Sequence, residues 1–314
     1  MLSTVRQRLL RGAALLLAGT CLLAPSACRN NNSKATLHQA AKNGWAQEVQ
    51  AALDSGADIN SRDELQYTPL HLAVWHDRYD VAKLLADRGA DLEARDWKGR
   101  TPMWFAAYKG NVQTCRLLID KGAKIDAVEP VALQTPLQVA ANAQTVRFLV
   151  QQGAAADCRD RNGRSVLCKA VEWNDKALVE FLLARGCRAD VASKDGSTLL
   201  HLATGPEVAQ LLVQRGARVD ARQTTQASPL HIACSKDRVV MAEFLLQRGA
   251  DVAAADKDGW TPLHFAAAYA SLEMVRLLRA RGADPAAKDR AGSTPLDEAR
   301  SRNRDDVAAA MTGK

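Results

Sequence analysis

Residues 68–91 read TPLHLAVWHDRYDVAKLLADRGAD, and closely similar segments recur along most of the chain. In such a segment the Thr can cap a first helix, and the Pro that follows it fits the first helical turn. Val81, Leu84 and Leu85, at positions i, i+3 and i+4, give a second helix one apolar face. Gly89 can then adopt the left-handed conformation that ends this helix. Each segment therefore predicts two consecutive helices.

A fixed spacing connects these segments. A Gly precedes each Thr-Pro-Leu-His-like tetrapeptide by twelve residues, or in one case by thirteen, and these glycines are Gly56, Gly89, Gly122, Gly153, Gly186, Gly216, Gly249 and Gly282. A repeat of about 33 residues predicts a solenoid, because such a unit cannot bury its apolar face alone and becomes stable only when stacked. We therefore expect one repeat domain, although a chain of 314 residues would ordinarily suggest two globular domains.

The tetrapeptides and the helix patterns that follow them closely resemble the ankyrin-repeat family, over about residues 34–311. The resemblance implies a mainly α solenoid of about nine helix-turn-helix units with projecting β-hairpin fingers, occupying residues 34–314. It also implies that the first and last repeats act as caps. DxxG segments between the repeats, such as DWKG at residues 96–99, predict tight turns in the fingers.

Two repeats are shorter than the others by three residues. They read LQVAANAQTVRFLVQQG (residues 137–153) and LHLATGPEVAQLLVQRG (residues 200–216). We expect each deletion to shorten the turn between the two helices and to leave the stack intact.

The first residues resemble an export signal. Arg6, Arg8 and Arg11 precede the apolar run AALLLAGTCLLA (residues 13–24), which is shorter than the roughly 20 residues that a membrane-spanning helix needs. We predict a signal peptide over residues 1–27 and a polar tether over residues 28–33.

Two ways of processing this signal remain open. The sequence PSAC resembles a bacterial lipobox, which would make Cys28 a lipidated first residue, although Pro25 stands where such boxes usually carry Leu. Ordinary cleavage near Ala27 would instead leave a soluble secreted chain. The protein is thus expected in a bacterial periplasm or tethered to the outer membrane, or alternatively secreted.

The charge of the chain does not favour nucleic acid as a partner. The formal net charge is +7, but residues 1–27 hold three basic residues and no acidic one, so the remainder carries 39 basic against 35 acidic residues, or +4. These charges are interspersed and form no basic stripe of the kind that nucleic-acid binding requires.

Most histidines belong to the repeat itself. Five of the six occupy the fourth position of the tetrapeptide, where the resemblance implies a structural hydrogen bond to the preceding turn; these are His38, His71, His201, His231 and His264. They fall in successive layers and do not converge as metal ligands must. No GxSxG, HExxH, Walker-type or dinucleotide-binding motif appears. The sequence therefore predicts no enzyme, no metal and no cofactor.

The cysteines beyond Cys28 are also interpreted structurally; they are Cys115, Cys158, Cys168, Cys187 and Cys234. Cys115 and Cys234 replace small or apolar core residues on helices, so we expect buried thiols. A disulfide between Cys158 and Cys187, in adjacent fingers, remains open, but their offset of 29 residues rather than 33 does not favour bridging geometry.

The positions that the repeat leaves free predict the binding surface. The resemblance implies that the finger turns, the residue before the Thr and the end of the first helix face a concave groove that contacts partners. Aromatic and basic residues, typical of interface anchors, fill these positions in repeats two, three and five. We expect a partner protein to bind through Leu65, Tyr67, Trp75, His76, Trp97, Lys98, Arg100, Tyr108, Lys109, Arg161, Arg164 and Trp173.

An alternative interpretation places Trp75 and Trp173 against neighbouring helices, at the edge of the core. Trp104 and Phe105 are expected inside the core, and Trp260 is expected to contribute a lesser second patch. The sequence thus predicts a non-catalytic, monomeric protein-binding scaffold in the cell envelope, or alternatively a secreted effector that binds a target in another cell.

Overall fold

A computed structural model describes residues 33–312, so the predicted signal peptide, Cys28 and nearly all of the tether lie outside the described residues. Within the described range the chain forms nine consecutive helix pairs. They are α1 (Ser33–Asn43) with α2 (Ala46–Asp54), α3 (Pro69–Trp75) with α4 (Tyr79–Asp87), α5 (Pro102–Lys109) with α6 (Val112–Asp120), α7 (Pro136–Val139) with α8 (Ala143–Gln151), α9 (Val166–Glu172) with α10 (Lys176–Ala184), α11 (Leu199–Leu202) with α12 (Pro206–Gln214), α13 (Pro229–Ser235) with α14 (Val239–Gln247), α15 (Pro262–Tyr269) with α16 (Leu272–Ala280), and α17 (Pro295–Ser301) with α18 (Asp305–Thr312).

The pairs stack in chain order and confirm the mainly α solenoid. First helices pack on the first helices of neighbouring pairs, as α3 does between α1 and α5, and second helices pack in the same way, as α4 does between α2 and α6. Buried residues form one hydrophobic cluster that runs from Leu37 to Met311. Since each pair contributes only a thin layer to this core, the stability of the stack comes mainly from contacts between neighbouring pairs.

The helix ends follow the expected local chemistry. The hydroxyl of Thr68 accepts a hydrogen bond from the main-chain N–H of His71, and Pro69 occupies the first helical turn. Gly89 follows α4 with a φ of 83°, in the left-handed region that glycine adopts without a steric penalty. The same pattern recurs in most of the repeats and fixes where each helix begins and ends.

The fingers between repeats are turns, and the implied β-hairpins are not confirmed. Within residues 33–312 there is no strand, only two isolated bridges, Glu129 with Gln134 and Ala192 with Thr198. A typical finger closes through two main-chain hydrogen bonds, from Asp96 N to Arg100 O (3.1 Å) and from Gly99 N to Asp96 O (2.8 Å), and one further bond connects it to the preceding finger. These few bonds hold the turns in register without forming a ladder.

The two short repeats have lost helix rather than turn. Helices α7 and α11 have four residues each, whereas the first helices of the other repeats have seven or more. The connection from α7 to α8 still spans three residues, 140–142, as does the connection from α3 to α4, residues 76–78. The expectation that the turn would absorb the deletion is therefore wrong. In both repeats the second helix keeps its nine residues and a defined start, at Asn142, whose side chain accepts from Thr145 N, and at Gly205 followed by Pro206, so the shortening falls on the first helix.

The five described cysteines carry free thiols. Cys115 and Cys234 are buried, as predicted. The Cys187 Sγ lies 3.2 Å from the main-chain oxygen of Ala156, to which it donates, so the structure contains no Cys158–Cys187 bridge.

No helix in the described range is long and apolar enough to cross a membrane.

Candidate protein-binding surface

The repeated imidazoles connect successive repeats. Nδ1 of His71 accepts from Thr68 N (3.2 Å), so Nε2 carries the hydrogen and donates to Arg100 O of the next finger (3.1 Å). The same arrangement joins His201 to Ala227, His231 to Trp260 and His264 to Ser293. The predicted bond to the preceding turn is therefore only half of the role, because each ring also holds the following finger.

Two substitutions in this row follow from the same geometry. Gln138 replaces His in repeat four; its Oε1 accepts from Thr135 N (2.9 Å), and its Nε2 donates to Arg164 O (3.3 Å). Asp297 in repeat nine accepts from Thr294 N (3.0 Å) but has no donor, and no further finger follows it within the described range. The row is thus structural, and it leaves these side chains little freedom to contact a partner.

A cluster of aromatic rings covers repeats two and three. Tyr108 stacks on Trp104 with centroids 5.1 Å apart and faces Trp75 at 6.0 Å with an interplanar angle of 22°. Phe105 meets Trp75 edge-on at 5.4 Å. We call Trp75, Trp104, Phe105, Tyr108 and Lys109 the Trp75–Tyr108 surface. Trp104 and Phe105 are buried, as predicted, whereas Trp75 remains 39% exposed and Tyr108 49% exposed.

Trp75 packs against the core, as the alternative interpretation expects, and its contact with a partner stays a prediction. One edge packs on the core through Phe105, and the rest of the ring remains open to solvent. Lys109 lies on the same surface, with Nζ 5.5 Å from the centroid of Trp75 and 2.9 Å from a carboxylate oxygen of Asp77. Ring pairs of this geometry contribute about 0.5–1.5 kcal/mol each beyond burial, so the exposed rings are held in fixed positions before any partner arrives.

Arg100 and Tyr67 form the side of this surface that faces the fingers. The guanidinium of Arg100 donates to the carboxylate of Asp96 (2.6 and 2.8 Å) and to the hydroxyl of Tyr67 (3.1 Å). It also covers the Phe105 ring, at 4.6 Å from the centroid. Its hydrogen bonds and its stacking face are therefore largely occupied within the protein. Arg100 therefore supports the neighbouring rings. The predicted residue His76 lies elsewhere, half-buried at the end of α3.

The tips of the fingers that precede repeats two and three bring together three further predicted residues, Leu65, Trp97 and Lys98. Trp97 N donates to Leu65 O (3.2 Å), and the Lys98 ammonium lies 4.7 Å from the Trp97 ring centroid. Trp97 is 57% exposed and Leu65 51%. These tips extend the exposed apolar area beyond the Trp75–Tyr108 surface.

The predicted residues of repeat five lie apart from this group. Helix α7 ends at Val139, and residues 140–142 that follow carry no large side chain. Beyond this gap Arg164 pairs with Glu172, Trp173 contacts Lys169, and Arg161 N donates to finger four. The structure therefore divides the predicted surface into a contiguous part on repeats two and three and a separate part on repeat five.

Some exposed apolar residues were missed from the sequence. Tyr269, at the end of α15, is 54% exposed, stands beside Trp260 and lies under the guanidinium of Arg302 (4.7 Å to the centroid). It occupies the register position of Trp173, a signal that was available in the repeat alignment. Finger four also exposes Val128, Val131 and Leu133, and Trp45 is exposed before α2.

Comparisons with known proteins agree with this architecture. A family model described as "Ankyrin repeats (3 copies)" matches residues 12–96, 93–160, 137–223, 205–289 and 230–311. The chain is 39% identical over 115 residues to ankyrin repeat and SOCS box protein 16 of Homo sapiens, covering 34% of this chain and 25% of the relative. It is 35% identical over 109 residues to the B-cell lymphoma 3 protein homolog of Mus musculus, covering 32% and 24%. NF-kappa-B inhibitor zeta of Homo sapiens is 32% identical over 99 residues, covering 28% and 14%. The chain spans a quarter or less of the length of each of these relatives.

Proposed function

The chain belongs to the ankyrin-repeat family, and we propose that it is a non-catalytic, monomeric scaffold that binds another protein through the Trp75–Tyr108 surface. Repeats of this family form modules for protein–protein interaction. The name of one relative, NF-kappa-B inhibitor zeta, describes an action on another protein, which is consistent with a binding role.

One observation carries the choice of surface. Trp75 and Tyr108 are large, partly exposed rings that are already fixed by stacking, and Lys109 adds a charge beside them. Rigid aromatic groups lose little conformational entropy on binding, and Trp and Tyr dominate the energy of many interfaces. The exposed Trp97 and Leu65 at the finger tips would enlarge the contact.

Alanine substitution tests this assignment. A photo-activatable cross-linker placed at Leu65 or Trp97 would identify the partner, which is then purified and titrated against each variant. We expect Trp75→Ala with Tyr108→Ala to weaken binding at least about thirtyfold, since loss of one anchor commonly costs 2 kcal/mol or more. Trp45→Ala removes a similarly exposed ring outside the surface and serves as the matched control. Equal affinity of the double variant and the Trp45 control would contradict the proposal.

We further propose that this scaffold acts outside the cytoplasm, in a bacterial cell envelope. The support is the sequence of residues 1–27, with its basic start, short apolar run and small residues before Cys28. Mass spectrometry of the mature N-terminus, together with cell fractionation, tests the proposal. We expect a chain that starts near residue 28, either lipidated at Cys28 in a membrane fraction or unmodified in the periplasm. Recovery mainly from the culture supernatant would favour a secreted effector instead, and an intact N-terminus in the cytoplasm would contradict export.

A further inference from the structure

Repeat five has no histidine at the fourth position of its tetrapeptide, and a cavity lies at that position. Cys168 stands at the position of His71 and His231, and its side chain is too short to reach the next finger. A cavity of about 320 Å³ opens beside it, lined among others by Gln138, Arg164, Ser165, Cys168, Lys169 and Glu172. A second cavity, of about 290 Å³, shares Asn162 and Arg164 with the first and extends to Lys194, Asp195 and Ser197.

The first cavity contains a buried hydroxyl that has no partner. Ser165 is 5% exposed, and its Oγ makes no hydrogen bond within the described part of the chain. The equivalent Ser228 of repeat seven lies 2.8 Å from Nδ1 of His231. An unsatisfied buried hydroxyl costs about 1–3 kcal/mol, so this side chain destabilises the free protein and would gain from any hydrogen-bond partner that reached it.

The charged groups around the two cavities are unevenly satisfied. The three acids already have partners. Asp160 accepts from the main-chain N–H of Asn162 and of Arg164, Asp195 accepts from Ser193 and Ser197, and Glu172 pairs with Arg164. Two cations, by contrast, have no carboxylate within 4 Å among the described residues, namely Lys169 and Lys194.

Lys169 is the cation best placed to act in the first cavity. It is partly buried, its Nζ donates to Ala140 O (3.1 Å), and burial lowers its pKa. The Arg164–Glu172 pair is exposed, with about 40% of each side chain accessible, so exchanging Glu172 for another carboxylate costs little. The Lys169 ammonium and the Ser165 hydroxyl therefore retain unused hydrogen-bond donors beside this space, and Arg164 shares its charge with Glu172.

We propose that this cavity binds one carboxylate, supplied by a Glu or Asp side chain in an acidic segment of the partner protein. The inference rests on the proposed binding function and adds a second, chemically different contact on repeat five, separate from the Trp75–Tyr108 surface. One negative charge would complement the Lys169 ammonium, which has no carboxylate partner, whereas the lining as a whole already balances three carboxylates against three cations. Those same carboxylates would repel the second charge of a phosphate group.

The test is an amide NMR titration of the protein with acetyl-Gly-Glu-Gly-amide, its Gln counterpart and its phosphoserine counterpart. We expect saturable shifts at residues 162–172 and 194–197 with the Glu peptide alone. Lys169→Gln should weaken that binding about tenfold, as expected for a hydrogen bond to a charged group. Shifts of equal size with the Gln peptide, or tighter binding of the phosphoserine peptide, would overturn the assignment.

Two variants separate binding from folding. Ser165→Ala removes the unpartnered hydroxyl, and Cys168→His restores the side chain that fills this position in most other repeats; we expect both to weaken the Glu peptide and neither to lower the denaturation midpoint. Wild-type affinity for the peptide in both variants would refute the cavity site. The Trp75→Ala, Tyr108→Ala protein should bind the peptide normally, so failure here and failure of the aromatic surface are distinguishable.

Discussion

Acidification from pH 7 to pH 4.5 is expected to destabilise the protein by several kcal/mol, and His71→Gln with His231→Gln is expected to remove most of that loss. Burial lowers the pKa of both imidazoles to about 4 in the folded chain, against an ordinary value near 6.5. Protonation would also place a hydrogen on Nδ1, which faces the main-chain N–H of Thr68 or Ser228. The folded form therefore resists protonation at these two rings.

The direction of the effect follows from proton binding. Between pH 6.5 and pH 4 the unfolded chain binds more protons at these rings than the folded chain does, so the free energy of unfolding falls as the pH falls through this window. The stability that the two neutral imidazoles contribute is fully present above pH 6.5. Each ring contributes about 3 kcal/mol over the whole window, and the two lie in distant repeats, so their contributions should add. Lys121 and Lys83 lower the pKa of Asp87 to about 2, so its contribution to the free energy of unfolding is lost only at lower pH.

Gln is the suitable replacement because the protein already uses it in this row. Gln138 accepts from Thr135 N and donates to the next finger, as the neutral imidazole does, and it does not titrate. We expect the double variant to lose about 1–2 kcal/mol at pH 7 through weaker ring packing. Its denaturant midpoint should then fall much less down to pH 4.5, and the remaining fall is expected from His201 and His76, whose pKa values burial also lowers. If the variant loses as much on acidification as the unmodified protein, other groups control the acid sensitivity.

Much of the fold could be predicted because each local signal repeats. The Thr cap, the Pro in the first turn and the Gly after the second helix recur at a fixed spacing, so an ambiguous copy is resolved by its neighbours. The length of α7 could not be predicted in this way. A deletion of three residues fits either the turn or the helix, and the choice depends on Asn142 capping α8 and on the bond from Ala141 N to Ala107 O.

The candidate site was predictable as a set of positions but not as a surface. The repeat showed which side chains it does not dictate, and so identified Trp75 and Tyr108. It could not show that Arg100 would be occupied by Asp96 and Tyr67, because that depends on distances across two repeats. The cavity at repeat five was also out of reach. The repeat spacing aligns Cys168 with the histidines, but the unpartnered hydroxyl of Ser165 emerges only from the packed structure.

Gly259→Ala is expected to destabilise the protein considerably more than Gly249→Ala, although both glycines have a φ of 84°. A Cβ at position 249 would meet nothing within 4 Å, so that variant bears only the cost of a left-handed alanine, about 1–2 kcal/mol. A Cβ at position 259 would lie 2.8 Å from Arg290 N and 3.0 Å from the Cα of Asp289. These are backbone atoms and cannot move aside cheaply.

The difference between the two variants measures how strongly one finger depends on the next. Arg290 N donates to Asp258 O (3.0 Å), and a methyl group at position 259 would force these turns apart and stretch that bond. We expect an additional loss of about 1–3 kcal/mol in urea denaturation at pH 7.5. Gly196→Ala, where the Cβ would lie 2.9 Å from Gln223 Cα, should behave like Gly259→Ala, and Gly186→Ala should behave like Gly249→Ala. If Gly259→Ala lost no more stability than Gly249→Ala, and Gly196→Ala no more than Gly186→Ala, the fingers would move independently. The finger tips with Trp97 and Leu65 could then not present a fixed surface to a partner.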